Sequence, residues 1–249
     1  MTTKEELKSV LKQLRDNGDI PGVKEKAGEF LKKIDAKTLS IAEQELLQEG
    51  FNRADLMKLC DIHLAVMGDT LQEQKPEESL HHPVGIFMAE HRIILKNLAE
   101  LGEIINQVKE ARDYIEIQPQ IKRLSEIATL LLETESHHQR EEQVLFPRFE
   151  HHGITGPPRI MKMEHEELRA RKRQLNALVK ATATTKYTDF VKGVQEAGGY
   201  LVENLKGHIF KEDNILYPTA LKTLDTEEWK QVINDFEKIG YCSFTPGKQ

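Results

Sequence analysis

A segment that occurs twice in this chain constrains its fold more than any other feature. HHQREEQVLFP at 137–147 aligns with HIFKEDNILYP at 208–218, with histidine, glutamate, leucine and proline at matching positions. Upstream of each copy lies a helical pattern that contains a Glu-His dipeptide, at His91 and at His165. An internal repeat of this kind indicates a repeated supersecondary unit. We therefore predict two similar helical hairpins.

Within each copy the histidine and the glutamate are four residues apart, His137 with Glu141 and His208 with Glu212. Residues at this spacing lie one above the other on an α-helix, with Cβ atoms about 5 to 6 Å apart, so both side chains can bind one centre. A single pair of this type is common because it also supports a helix without metal. The same pair twice, each time before Leu-aromatic-Pro, is not explained in that way.

The repeat lies in four long helical patterns, at about 83–110, 116–150, 158–182 and 187–222. Breaks rich in Gly, Pro, Asp and Thr separate them, and no part of this region has the alternation typical of a strand. Long helices joined by short connections pack antiparallel. The sequence predicts an all-α fold, with an up-down-up-down four-helix bundle at 81–222.

The rest of the chain predicts further helices. Residues 1–70 contain short amphipathic patterns bounded by Gly and Pro, which is typical of a small helical domain. Residues 71–80 are polar and contain Pro76, as in a linker. Residues 223–249 comprise a predicted helix from Thr226 to Ile239 and the tail GYCSFTPGKQ, which we expect to be frayed.

In such a bundle the repeated residues would face the axis, one histidine from each of two helices and a His-x-x-x-Glu pair from each of the others. These candidate metal ligands are His91, His137, Glu141, His165, His208 and Glu212. Imidazole and carboxylate ligands suit iron, and carboxylates can bridge two ions. A single zinc ion needs only about four ligands. Two equivalent halves therefore favour two iron ions over zinc.

A ferritin-like site is the main structural alternative. Such sites use Glu-x-x-His on each of two helices together with single glutamates. Glu135 and His138 have this spacing, but Lys206 stands where the second copy would need its glutamate. The ferritin-like interpretation therefore fails in the second half.

Three other histidines are interpreted as surface residues. His138 aligns with Ile209 of the second copy, and His151 and His152 lie beyond the break at Pro147, near a glycine.

Three further residues are candidate additional ligands. His82 lies nine residues before the first predicted ligand, roughly 13 Å along the axis at about 1.5 Å per residue, so it reaches the metals only if the chain bends back. Cys60 and His63 are three residues apart on a predicted helix of the N-terminal domain. They are interpreted either as a buried cysteine with an incidental histidine or as a pair that faces the bundle. Arg169 is expected to pair with a ligand carboxylate or to be exposed.

Charge and composition exclude some functions. A formal net charge of −6 argues against binding to nucleic acid or to an anionic membrane, since both need a basic face. No apolar run is long enough to span a membrane, and the charged N-terminus does not resemble a signal peptide. Cys60 and Cys242 are too few for a disulfide framework. We expect a cytoplasmic protein.

The candidate ligands resemble the motif of the hemerythrin-like (HHE) domain family, and the resemblance covers more than half of the chain. They are His91, His137-x-x-x-Glu141, His165 and His208-x-x-x-Glu212. The N-terminal segments IAEQELLQEGF and LMKLCDIH resemble an uncharacterised helical domain that often precedes such bundles. Oxygen-carrying hemerythrins have an additional histidine on the third helix, where this chain has Met161 and Arg169. The ligand set is similar instead to that of hemerythrin-like iron-centre repair and nitric-oxide-responsive proteins.

The resemblance implies a non-haem di-iron centre, oxo- or hydroxo-bridged, that binds or reacts with O2, NO or peroxide. Its expected role is in a redox or stress response, including iron-centre repair, as a di-iron oxidoreductase with an unknown electron donor. One alternative is a metal- or gas-responsive signalling module that acts on a protein partner. Another is iron storage without chemistry. Fold and ligands alone do not rank these roles.

Overall fold

The structure, a computed structural model, describes most of the chain beyond the predicted linker. The described residues are 80–248 and the short stretches 5–6, 8–10, 12–13, 45–46 and 49–50. Every regular element among them is helical, which confirms the predicted fold class. Within the same residues no helix is both long and apolar enough to cross a membrane.

Eight α-helices and two π-helical turns follow one another in the continuous described part. They are α1 Pro83–Glu110, α2 Gln118–Glu133, α3 Glu135–Arg140, the π turn Glu141–Leu145, α4 Phe146–His151, α5 Gly156–Lys180, α6 Tyr187–Lys211, the π turn Glu212–Leu216, α7 Tyr217–Thr223 and α8 Thr226–Ile239. The predicted long patterns correspond to α1, to α2 through α4, to α5, and to α6 with α7. The predicted C-terminal helix has the bounds expected for it.

The chain divides into two compact units. The first comprises Met1–Pro76, Leu145–Lys162 and Lys211–Asp225, and the second Glu77–Val144, Met163–Phe210 and Thr226–Gln249.

In the first unit the described residues 5–6, 8–10, 12–13 and 45–46 are helical, and Glu49 and Gly50 form a turn. The Nζ of Lys8 lies 3.0 Å from a carboxylate oxygen of Glu45, and the Nζ of Lys12 lies 2.6 Å from Glu49. Leu46 is fully buried. The remaining residues of the predicted 1–70 domain, and the predicted linker except Leu80, lie outside the described residues.

The second unit contains a four-helix core formed by α1, α2, α5 and α6. Its buried apolar side chains recur at helical spacing on each helix and include Leu101, Ile127, Leu175 and Leu201. The tyrosine that begins α6, Tyr187, donates from its hydroxyl to a backbone carbonyl near the end of α1, so these two helices run antiparallel. The bundle is therefore the frame that holds the predicted ligands.

Local sequence signals set the ends of these helices. Pro83 occupies the first turn of α1, where its missing N–H costs nothing, and the Nδ1 of His82 accepts a 3.2 Å hydrogen bond from the backbone N–H of Val84. Gly153 ends the turn after α4 with φ 79°, and Gly240 ends α8 with φ 89°. Glycine adopts this left-handed conformation without the strain that a Cβ would add.

The C-terminal segment, residues 241–248, is packed, so the prediction of a frayed tail is wrong. Cys242 and Thr245 are buried, and Phe244 packs against the bundle core. Lys248 forms a 2.6 Å ion pair with Glu237 of α8. Gly240, in the left-handed conformation, ends α8, and the segment that follows it buries Cys242 and Thr245. A polar segment without periodicity gave no sequence signal for this packing.

Candidate metal centre

The four predicted histidines meet in two pairs inside the second unit. The Nε2 atoms of His91 and His137 are 3.2 Å apart, and those of His165 and His208 are 2.9 Å apart. All four rings are buried. Each pair joins one helix to its hairpin partner, as the repeat predicts.

Glu141 lies between the two pairs. One of its carboxylate oxygens is 3.7 Å from the Nε2 of His137 and 3.4 Å from the Nε2 of His165. Its side chain is fully buried. A carboxylate in this position can reach a cation at either pair, or bridge two cations.

Both repeat copies contain a π turn, and each turn begins at the glutamate of the His-x-x-x-Glu pair. The turns are Glu141–Leu145 and Glu212–Leu216, and the second residue after each is a proline, Pro147 or Pro218. Proline has no N–H to donate and its ring clashes with the carbonyl four residues earlier. The helix widens ahead of it, and π turns of this kind are frequent at functional sites. The Leu-aromatic-Pro ending is the sequence signal for these turns, which the predicted continuous helices at 116–150 and 187–222 do not include.

The outer nitrogens of three rings are held by carboxylates. The Nδ1 to carboxylate distances are 2.7 Å for His137 with Glu90, 2.7 Å for His165 with Glu142 and 2.6 Å for His208 with Glu164. Because an ionised carboxylate can only accept, it favours the hydrogen on Nδ1, and in a neutral ring this leaves the Nε2 lone pair available to a cation. Such contacts fix the tautomer and orientation of metal-binding histidines.

Glu90 is the most enclosed of these carboxylates. It accepts hydrogen bonds from His137, from the Nη2 of Arg140 at 2.6 and 2.8 Å, and from the hydroxyl of Thr245. Burial alone would raise the pKa of Glu90, but these donors outweigh it and hold that pKa at about 2. Glu90 is therefore a carboxylate at neutral pH.

Glu142 has a similar role nearer the surface. Arg169 donates to Glu142 at 2.9 Å and to Glu135 at 2.8 Å. Although burial opposes the shift, hydrogen bonds from His165 and Arg169 lower the pKa of Glu142 to about 2. Arg169 thus pairs with a carboxylate that orients a predicted ligand.

His138 was interpreted as a surface residue, and that interpretation is wrong. Its ring is buried and stacks on His165, with ring centroids 4.0 Å apart and planes at 9°. The buried Nζ of Lys172 lies 3.3 Å from the Nε2 of His138 and 2.6 Å from the hydroxyl of Thr134. Burial, with the nearby His165 and Lys172, lowers the pKa of His138 well below its ordinary value, so its ring is neutral.

The remaining predicted residues are placed as follows. His82 caps α1 and packs on Trp229 with ring centroids 4.6 Å apart, and it is not one of the converging rings. Glu212 is buried at the start of its π turn, in the first compact unit. Cys60 and His63 lie outside the described residues.

The donor set of the second unit fits a metal cation. At the His165 and His208 pair both outer nitrogens face carboxylates, and the two Nε2 atoms are 2.9 Å apart. At this distance the two nitrogens can share one proton in a hydrogen bond, and when both are unprotonated they can bind one cation. The ligand atoms of Glu141, His165 and His208 all lie within 4.8 Å of one another, as one ion requires.

Sequence reasoning did not identify the orienting carboxylates. A signal for two of them was present, since Glu90 and Glu164 are the glutamates of the repeated Glu-His dipeptides. Each holds the histidine of the facing helix rather than its own neighbour. Thr245 had no comparable signal.

Comparisons with known proteins relate this chain to a family of cation-binding domains. Residues 82–220 match the hemerythrin HHE cation-binding domain, and residues 7–73 match a family of unknown function, DUF438. The chain is 30% identical over 154 residues to the iron-sulfur cluster repair protein YtfE of Escherichia coli O157:H7, a match that covers 58% of this chain and 66% of that protein. It is 27% identical over 152 residues to a probable iron-sulfur cluster repair protein of Haemophilus influenzae, over 58% of this chain and 65% of that protein. Both matches cover less than two thirds of the relative's own length.

Proposed function

Because the chain belongs to the family of the hemerythrin HHE cation-binding domain, we propose that it holds two iron ions and acts in the repair of damaged iron-sulfur centres. One ion would be bound at the His91 and His137 pair and the other at the His165 and His208 pair. The two carboxylate ligands would be Glu141 and Glu212.

The convergence of the ring nitrogens is the observation that carries this proposal. Two pairs of Nε2 atoms are 3.2 and 2.9 Å apart, and the Glu141 carboxylate lies near both pairs, which supports two neighbouring cation positions. Imidazole with carboxylate is a donor set that suits iron. Glu212 is proposed from its place in the repeat, one turn after His208, and from its burial.

Bound iron would supply redox chemistry and open coordination positions for O2, NO or peroxide. The chain's own residues orient the rings through Glu90, Glu142 and Glu164, and exclude bulk water by burial. Ile94 and Leu168, each three residues after a histidine, continue the bundle core from the site. An apolar surrounding favours small neutral molecules over hydrated ions.

The repair role rests on the relatives. Two relatives that match 58% of this chain are named as iron-sulfur cluster repair proteins, one of them only as probable. We propose that this chain acts on proteins with damaged iron-sulfur clusters, in a response to NO or peroxide. The third helix lacks the additional histidine of oxygen-carrying hemerythrins and has Met161 and Arg169 instead, which favours the repair role over reversible oxygen carriage.

Metal analysis of the full chain tests the proposal. Protein purified under iron-replete conditions should contain about two irons per chain and show the optical bands of a di-iron centre. His137→Ala, Glu141→Ala, His165→Ala and Glu212→Ala should each lower the iron content, because each removes a proposed ligand. His151→Ala, at an exposed position, is the control and should keep it. One tightly bound zinc ion in place of iron would contradict the proposal.

A further inference from the structure

The C-terminal segment contacts the carboxylate that orients a proposed ligand. The hydroxyl of Thr245 donates to Oε1 of Glu90, from 155 residues further along the chain. The other oxygen of Glu90, Oε2, faces the Nδ1 of His137 at 2.7 Å. Thr245 and Glu90 are both buried, so water does not supply this hydrogen bond.

Arg140 completes the support of Glu90. Its Nη2 contacts both carboxylate oxygens, and its Nε donates to the carbonyl of Ser136 at 3.1 Å. The guanidinium lies 4.9 Å from the ring centroid of Tyr241, the first residue of the C-terminal segment. The Sγ of Cys242 lies 3.3 Å from the hydroxyl of Ser136. Segment, guanidinium and carboxylate therefore pack as one buried group.

We propose that the C-terminal segment is part of the metal centre, with Thr245 and Arg140 as positioning residues that fix Glu90 and, through it, the ring of His137. This inference rests on the proposed function. It goes further in assigning the segment to one metal position, the one at His91 and His137.

The physical reason is rotation of the carboxylate. Oε2 of Glu90 faces His137, and Oε1 accepts from Thr245 and Arg140. The donors on Oε1 help to fix the rotation of the Glu90 carboxylate about its side-chain bond. A buried carboxylate keeps a single orientation when all its acceptor positions are filled, and a partly filled network does not. Loss of the Thr245 donor would let Glu90 turn and the ring of His137 follow. Hydrogen-bond partners of metal ligands typically contribute about 10- to 100-fold to metal affinity.

The support from Thr245 reaches the half that contains Glu90. In the repeat Arg140 corresponds to Lys211, and the chain has one C-terminal segment for two halves. The orienting carboxylate of the other half, Glu164, holds His208. A change at Thr245 should therefore affect one metal position selectively, whereas a general loss of stability would weaken both.

The test compares Thr245→Val with Thr245→Ser and Ser243→Ala in the full chain. Valine keeps the size of threonine and removes the donor, and serine restores the hydroxyl. Ser243 is on the same segment, but it is exposed and its hydroxyl bonds to Glu133, so it controls for the segment itself. Iron(II) affinities are measured without oxygen by competition with a chelator. Direct partners of a metal ligand contribute about 10- to 100-fold, and Thr245 acts on His137 through such a partner, so we expect Thr245→Val to weaken one position by about tenfold at most. We expect both other variants to bind as wild type.

The second measurement uses the metal-free proteins, with 15N NMR of the imidazole groups. Wild type should show His137 with its hydrogen on Nδ1, and Thr245→Val should shift that signal while the signal of His208 stays. Unchanged affinities with an unchanged His137 signal would overturn the inference, and so would equal weakening at both positions. If Thr245→Val does not fold, both measurements are made on Thr245→Ala, which also lacks the hydroxyl. A folded wild type that binds no iron would contradict the proposed function instead, and the metal-free spectra would still decide the role of Thr245.

Discussion

The two halves of the bundle share a sequence repeat, yet they hold their histidines in different surroundings. In the first half Glu90 is fully buried and pairs with Arg140, which is also fully buried. In the second half His165 contacts Glu142, whose partner Arg169 reaches Glu135, a residue with 43% of its side chain exposed. One histidine of each pair is therefore held by a carboxylate, but Glu90 is enclosed and Glu142 is partly exposed. The enclosed half should be the more sensitive to substitution.

Removal of one arginine from each half should give the largest difference. Arg140→Met leaves Glu90 as a buried charge without its main partner, a change that typically costs about 3 to 5 kcal/mol. Arg169→Met breaks pairs that are partly exposed, and such pairs contribute about 1 kcal/mol or less. Urea unfolding of the metal-free proteins gives both free energies of unfolding. Equal losses would show that burial does not distinguish the halves.

The halves also differ at one titratable position, where the first copy has His138 and the second has Ile209. This difference should be detectable in the pH dependence of the free energy of unfolding. Because burial lowers the pKa of His138, the folded protein keeps this ring neutral while the unfolded chain protonates it below about pH 6.5. The unfolded state then binds more protons, so stability is fully present above that pH and falls as the pH drops. One such group contributes at most about 1.4 kcal/mol per pH unit.

His138→Phe keeps an aromatic ring and removes this titration. Free energies of unfolding measured from pH 7.5 to 5.5 should fall less steeply in the variant than in wild type. Part of the slope should remain, since burial also lowers the pKa of His137. His151→Phe, at an exposed position, is the control. A variant with the wild-type slope would mean that His138 is protonated in the folded protein.

The smallest expected effect concerns Glu142. Its side chain is 21% exposed and also pairs with Arg169, so Glu142→Gln keeps one acceptor oxygen near His165 and admits water as a substitute. We expect roughly a threefold to tenfold loss of iron affinity at the His165 and His208 pair. Glu90→Gln should cost more, within the range of about 10- to 100-fold for buried partners. Chelator competition measures both, and the reverse order would remove the contrast between the halves.

The sequence predicted much of the helical frame because helices are local. The period of apolar residues located α1, α5, α6 and α8, and the spacing of His137 and Glu141 placed both on one helix face. The two errors both concerned packing. His138 was predicted to lie at the surface because its counterpart in the repeat, Ile209, is not a histidine. The C-terminal segment was expected to be frayed because it has no periodicity.

The sequence by itself determined the all-helical fold, the repeat and the residue types that face the bundle axis, because each of these follows from spacing along a helix. The tertiary structure decided which carboxylate holds which histidine, that His138 stacks on His165, and that Thr245 reaches Glu90 across 155 residues. These contacts join distant parts of the chain. They depend on helix rotation and on the return of the C-terminal segment, and no local pattern encodes either.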